Sequence, residues 1–282
     1  MADPIPFAHE TPEGATLHGL VDLPAEPGLK PAVVICHGFK GFMECAFFPY
    51  LAHLLAERGF VAVRFNLSGS GQKPGEDRVS DLAAFRANTH SRELRDLLSV
   101  IGAIGEGIAP GRADRERIAL FGHSRGGGNA LLAAARPELK GRVRALVTWA
   151  AIATFDRYTE EQKGLWRTLQ EFPVVNVRTH QELALGLGLL EDLEANREAL
   201  DLERAAGERA APWLIVHGDK DDSVSPSDGE RLYAAAADPK ELLLVPGGDH
   251  SFGARHPFQN PTPQLIQALN ETQRWLLRWV RS

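Results

Sequence analysis

The chain has 282 residues, 44% of them hydrophobic and 24% charged, which suffices for one large buried core. Lys and Arg number 31 against 37 Asp and Glu; the net charge of −6 excludes the basic face of a nucleic-acid binder and any pull toward anionic membranes. No apolar run nears the roughly 18 residues of a membrane span, and Met1-Ala2-Asp3-Pro4 opens no secretory signal, so a cytoplasmic protein is expected.

Residues 16–23 alternate in part after a turn at Pro12-Glu13-Gly14 and predict an antiparallel edge strand. The unbroken apolar run 32–36 predicts a strand buried on both faces, with Cys36 as a small core residue. Neither Cys36 nor Cys45 falls in a zinc spacing, so no metal is implied, and both are expected as reduced thiols. Pro49, Leu51, Leu54, Leu55 and Gly59 outline a helix, and 61–65 the next strand. Leu94, Leu97, Leu98 and Ile101 give 90–104 a helical stripe. Strand 118–121 leads through a glycine-rich turn into a helix over 127–136, stopped by Pro137. Strand 145–149 follows.

About 60 residues then pass before strand 213–216, where a parallel crossover needs only a dozen or more. The excess predicts an insertion at about 152–211, helical over 182–206 by composition. A helix near 229–236, a strand at 241–245 and a final helix from Pro263 complete the chain. Such alternation implies an α/β fold, a mostly parallel sheet with helices on both faces, and one domain over 1–282.

Sites in open α/β sheets gather at the carboxyl ends of the strands. After Phe121 stands Gly122-His123-Ser124-Arg125-Gly126, a G-x-S-x-G between a predicted strand and a predicted helix. That pattern holds a serine on a strained turn with its hydroxyl exposed. A bland alternative is a glycine-rich helix start that binds phosphate or merely packs closely. After Val216 come Asp219, Asp221 and Asp222; after Val245 comes Asp249-His250-Ser251-Phe252. The order Ser, Asp, His is that of a nucleophile-elbow enzyme. Acyl transfer also needs two backbone N–H donors for an oxyanion, and Phe39 and Arg125 are placed to supply them. Gly69-Ser70-Gly71 follows strand 61–65 without completing a dinucleotide fingerprint.

From about Thr16 to its last helix the chain resembles an α/β-hydrolase. His37-Gly38-Phe39, Gly69-Ser70-Gly71, Gly122-His123-Ser124-Arg125-Gly126-Gly127, His217-Gly218 with Asp221, and Asp249-His250-Ser251-Phe252 together resemble bacterial carboxylesterases of the feruloyl/cinnamoyl type. Dienelactone hydrolases and the catalytic domains of acyl-peptide-cleaving enzymes are similar too. The resemblance implies an inserted cap, a triad of Ser124, Asp221 and His250, and no cofactor. It selects Asp221 because the acid of that pattern stands three residues after His-Gly. It leaves His37, His123 and His217 as structural groups near the site, and His256 as loop packing. The insertion departs from the feruloyl-recognising cap. Its aromatics Phe155, Tyr158, Trp166 and Phe172 are either a small core or a lid that contacts substrate.

The expected activity is cleavage of small carboxylic esters, aryl or of short to medium acyl chain. A thioesterase, an acyl-peptide hydrolase and a hydrolase-like binding protein are the alternatives. A peptidase would normally bring a large gating domain, for which this length leaves little room. Oligomeric state is not legible; a homodimer is one option.

Overall fold

In the computed structural model, which describes residues 3–281, the apolar runs become the inner strands of a sheet. The first half forms β1 (Ile5–Glu10), β2 (Thr16–Asp22), β3 (Lys30–Cys36), α1 (Phe48–Glu57), β4 (Val61–Phe65), α2 (Leu82–Arg86), α3 (His90–Ala103), β5 (Ala113–His123), α4 (Arg125–Ala134) and β6 (Val143–Trp149). The second forms α5 (Glu160–Leu169), β7 (Glu171–Asn176), β8 (Gln181–Gly186), α6 (Leu187–Ala195), α7 (Leu202–Glu208), β9 (Trp213–Gly218), α8 (Pro226–Ala235), β10 (Lys240–Val245) and α9 (Pro263–Val280). Among the described residues, eight strands make one sheet in the order β1-β2-β4-β3-β5-β6-β9-β10. Neighbours from β4 to β10 run parallel, and β1 and β2 are antiparallel.

Alternation along the inner strands splits the core into two layers. Ala32, Val34 and Cys36 face one cluster with Leu97, Leu120 and Leu131, under α3 and α4. Val33 and Ile35 face the other with Leu51, Phe121, Trp149 and Leu276, under α1 and α9. Local chemistry fixes the helix starts: Thr89 accepts from Arg92 N at α3, and Thr159 with Gln162 forms a capping box at α5. Cys36 and Cys45 are free thiols. No helix among the described residues is long and apolar enough to cross a membrane.

Four expectations need correction. Strand β2 is not an edge: β1 pairs outside it, from Ile5↔Val21 to Glu10↔Thr16. Strand β5 begins at Ala113, and α4 begins at Arg125, directly after the serine. The stretch 182–206 is not continuously helical. Its first residues form β8, which pairs with β7 as a separate hairpin before α6 starts at Leu187.

The insertion is also less separate than its length suggests. Leu200, Leu202, Ala205 and Ala206 belong to the main core. What lies over the sheet edge is α5, the β7–β8 hairpin and the start of α6. These share a third cluster, Trp166, Leu183, Leu185, Leu189 and Leu190, with Val79 and Phe85 from the segment ahead of α3. The Gln181 side chain fastens the hairpin to that segment, accepting from Val79 N and donating to Val79 O.

Candidate active site

The parallel strands end together: Cys36 lies beside Gly122, His123 beside Trp149, and Gly218 beside Val245. The loops that follow β3, β5, β6, β9 and β10 therefore share one edge of the sheet. Ser124 stands in the turn after β5, with φ 57° and ψ −123°. A side chain in that region costs roughly 1–3 kcal/mol and persists only where its surroundings enforce it. Here Ser124 N donates to Trp149 O, and Ser124 O accepts from Gly127 N at 3.0 Å. The flanking glycines are demanded by close backbone approach. A Cβ on Gly122 would lie 2.2 Å from Gly126 O, and one on Gly126 would lie 2.4 Å from Cys36 O and His37 O.

The second approach brings the loop after β3 against the turn. His37 locks that loop: its buried ring donates from Nδ1 to Gly38 O at 2.9 Å and accepts at Nε2 from Leu67 N. Phe39 and Arg125 then meet, with the Arg125 guanidinium 4.1 Å from the centre of the Phe39 ring. The amides of Phe39 and Arg125 have no acceptor among the described residues, and both residues line one cavity with Ser124 and His250.

Asp221 is buried in the loop after β9. Its Oδ1 accepts from Ser223 N and Val224 N, both at 2.9 Å, and its Oδ2 from His250 Nδ1 at 2.8 Å. His217 Nε2 lies 3.3 Å from the same Oδ2 and 3.0 Å from Val224 O. Burial alone would raise the Asp221 carboxyl; the bonds from His217 and His250 outweigh it and hold it below the usual carboxylate range. The rival acids lie elsewhere. Asp219 accepts from Gly247 N at 2.7 Å, and Asp222 from its neighbour Ser223.

His123 supports His250 from behind, donating from Nε2 to His250 O at 2.8 Å. Burial and the nearby His250 push the His123 imidazole down to about 3, so it stays neutral. His256 accepts from Ala46 N and lies edge-on to Phe42, which is loop packing. Ser124 and His250 share the cavity without a direct hydrogen bond between them among the described residues. Such bonds often tighten only when substrate binds.

The four insertion aromatics part company. Phe155 and Tyr158 line the cavity. Trp166 is fully buried in the third cluster, with Tyr158 edge-on at 5.0 Å and Phe172 at 5.1 Å, so Trp166 and Phe172 pack within that cluster instead. Beneath the elbow lies a polar group that the sequence reading missed. Buried Glu93 accepts from Asn88 Nδ2 at 2.6 Å and Asn129 Nδ2 at 3.0 Å, and pairs with Arg125 at 3.3 Å. An acid in line with Leu97 on the apolar stripe of α3 was the available signal. The Gly69 turn packs on Asn88 of this group, where a Cβ would meet Asn88 Oδ1.

The profile of the prolyl oligopeptidase family matches residues 46–282. The chain belongs to that family. An uncharacterized protein of Mycobacterium tuberculosis (strain H37Rv) is 30% identical over 243 residues, covering 86% of this chain and 70% of that one. Est1E from Butyrivibrio proteoclasticus has a similar structure: TM-score 0.70, 19% identity, and full coverage of both chains. Dienelactone hydrolase from Anabaena variabilis aligns over 99% of this chain and all of its own, with a TM-score of 0.65 and 17% identity. The fold is that of the α/β-hydrolases, and the family is one of hydrolytic enzymes.

Proposed function

We propose that this protein cleaves carboxylic esters through an acyl-enzyme, with Ser124 as nucleophile, His250 as base and Asp221 as its orienting acid. The observation that carries the reading is the 2.8 Å bond from His250 Nδ1 to buried Asp221, in a cavity that His250 shares with a serine on a strained elbow. The carboxylate fixes the proton on Nδ1 and leaves Nε2 free to accept the Ser124 proton. As Ser124 Oγ bonds to the ester carbon, the amides of Phe39 and Arg125 stabilise the oxyanion. The tetrahedral intermediate collapses, and His250 returns its proton to the departing alkoxide. Water then attacks the acyl-enzyme, giving its proton to His250, which passes it to the leaving Ser124 oxygen. No cofactor enters these steps.

The cavity holds about 370 Å³, room for a short to medium acyl chain or one aryl group against Phe155 and Tyr158. A solved form of Est1E carries ferulic acid, which makes aryl esters worth including among substrates. Membership of the prolyl oligopeptidase family favours amide cleavage on the same triad as the second reading. A panel of p-nitrophenyl esters of rising chain length, a feruloyl ester, an acyl thioester and an aminoacyl p-nitroanilide separates the two. Turnover should be greatest for an ester and fall on the order of 10⁶-fold in Ser124→Ala with the fold intact. Turnover greatest for the anilide would replace the ester reading with the amide one. A folded Ser124→Ala protein keeping more than about a hundredth of the rate would remove the nucleophile assignment.

A further inference from the structure

The charges around the cavity run against those of the chain. The protein carries a net −6, yet the charged residues of the cavity wall, apart from the His250 imidazole, are Lys40, Arg125 and Arg157, and no Asp or Glu lines it among the described residues. Two buried acids next to lining residues are already committed. Asp221 is bonded to His250 and two amides, and Glu93 is shared among Asn88, Asn129 and Arg125. Among the described residues, Arg125 alone of the three cations has a carboxylate partner. Lys40 Nζ donates to Val175 O at 2.9 Å, and Arg157 Nη2 to Ser223 O at 2.8 Å. Both keep donors to spare, since an ammonium has three and a guanidinium five.

Burial, and then the like charge of Arg125, lower the Lys40 ammonium from its ordinary value. A negative group placed among these cations would relieve that repulsion. Aromatic and aliphatic side chains make up much of the remaining wall: Phe39, Ile152, Phe155, Tyr158 and Val224. The lining therefore suits a molecule with an apolar body and an anionic end.

Resting on the ester reading above, we infer that the preferred substrates carry a carboxylate besides the ester, bound by Lys40 and Arg157 beside Arg125. A bland account of the same residues exists. Lys40 joins the loop after β3 to the β7–β8 hairpin, and Arg157 joins the insertion to the acid-bearing loop, so both could serve only to fasten the cap.

The carboxylate could sit on the acyl arm or on the alcohol arm, and paired esters tell them apart. On the acyl side, p-nitrophenyl hemiglutarate is compared with its methyl ester. On the alcohol side, 4-carboxyphenyl butyrate is compared with its methyl ester. In one pair the anion should be favoured roughly 10- to 100-fold in kcat/KM at low salt, the worth of a charge-assisted hydrogen bond. The preference should shrink with added salt. It should largely vanish in the double variant Lys40→Gln/Arg157→Gln and persist in Arg144→Gln, whose charge lies on the exposed start of β6. An anion no better than its methyl ester in both pairs overturns the inference. So does a double variant with a lowered Tm and an intact preference, the outcome of mere fastening.

If no ester is turned over, the ester reading fails and calorimetry on Ser124→Ala decides this inference alone. Binding of glutarate or 4-hydroxybenzoate that disappears on adding Lys40→Gln/Arg157→Gln supports it. Absence of binding, or binding that survives the double change, overturns it.

Discussion

Asp221 differs from Asp219 and Asp222 in what its oxygens face. One oxygen is fixed by two amides, which aims the other at His250. Changing it to an amide would put a donor against the imidazole N–H and favour the wrong tautomer, a loss of about 10⁴ in kcat. Asp221→Asn should therefore lose far more activity than Asp219→Asn or Asp222→Asn, whose carboxylates bond to Gly247 N and Ser223 and not to His250. Kinetics of the three variants side by side check this, and equal mild losses would remove Asp221 from the triad. At this scale the sequence was most readable. Ser124 and His250 are marked by their places after buried strands, and Asp221 is singled out among three acids by the resemblance to the esterase pattern. The Glu93 group was not legible because its members, Asn88, Glu93, Arg125 and Asn129, come from two distant segments and meet only through packing.

The stretch between β6 and β9 shows how composition misleads at the scale of elements. The inner strands were readable because a strand covered on both faces needs an unbroken apolar run. Strand β8 is covered on one face only: Leu183 and Leu185 are buried while Glu182 is exposed, and its leucines run on into α6, so the stretch reads as helix. Strand β1 was missed for a similar reason, its residues being half exposed. The placement of the aromatics sets an expectation. Trp166→Ala would open a hole in the third cluster and cost about 3–5 kcal/mol of stability, with little change in substrate ranking. Tyr158→Ala would instead raise KM for aryl or longer esters by an amount worth roughly 1–3 kcal/mol, with little change in kcat. Melting curves paired with the ester panel check both. A reordered ranking from Trp166→Ala, with none from Tyr158→Ala, would mean that the third cluster and not the cavity wall selects substrate.

For the molecule as a whole, burying a neutral His123 behind the site links stability to pH. The imidazole titrates near 6.5 when unfolded and only at about 3 when folded, so the unfolded chain binds its proton first as pH falls. The stabilisation is present above about pH 6.5 and is lost as pH drops toward 3. His37 and His90, also lowered by burial, add to the same slope. The Asp221 carboxyl contributes only below its ordinary value of 3.8, while Asp96, which burial pushes up to about 6, opposes the histidines between about pH 4 and 6. Chemical denaturation between pH 4 and 7 should show stability falling with acid, less steeply in His123→Phe; identical slopes would exclude His123 as a contributor. All of this surrounds one claim, that Ser124 is the activated nucleophile. The most direct test is to label the protein with a fluorophosphonate and map the adduct by mass spectrometry. The account predicts one adduct per chain, on Ser124, formed far more slowly in His250→Ala and absent in Ser124→Ala. An adduct on another residue, or no adduct on the folded protein, would contradict it.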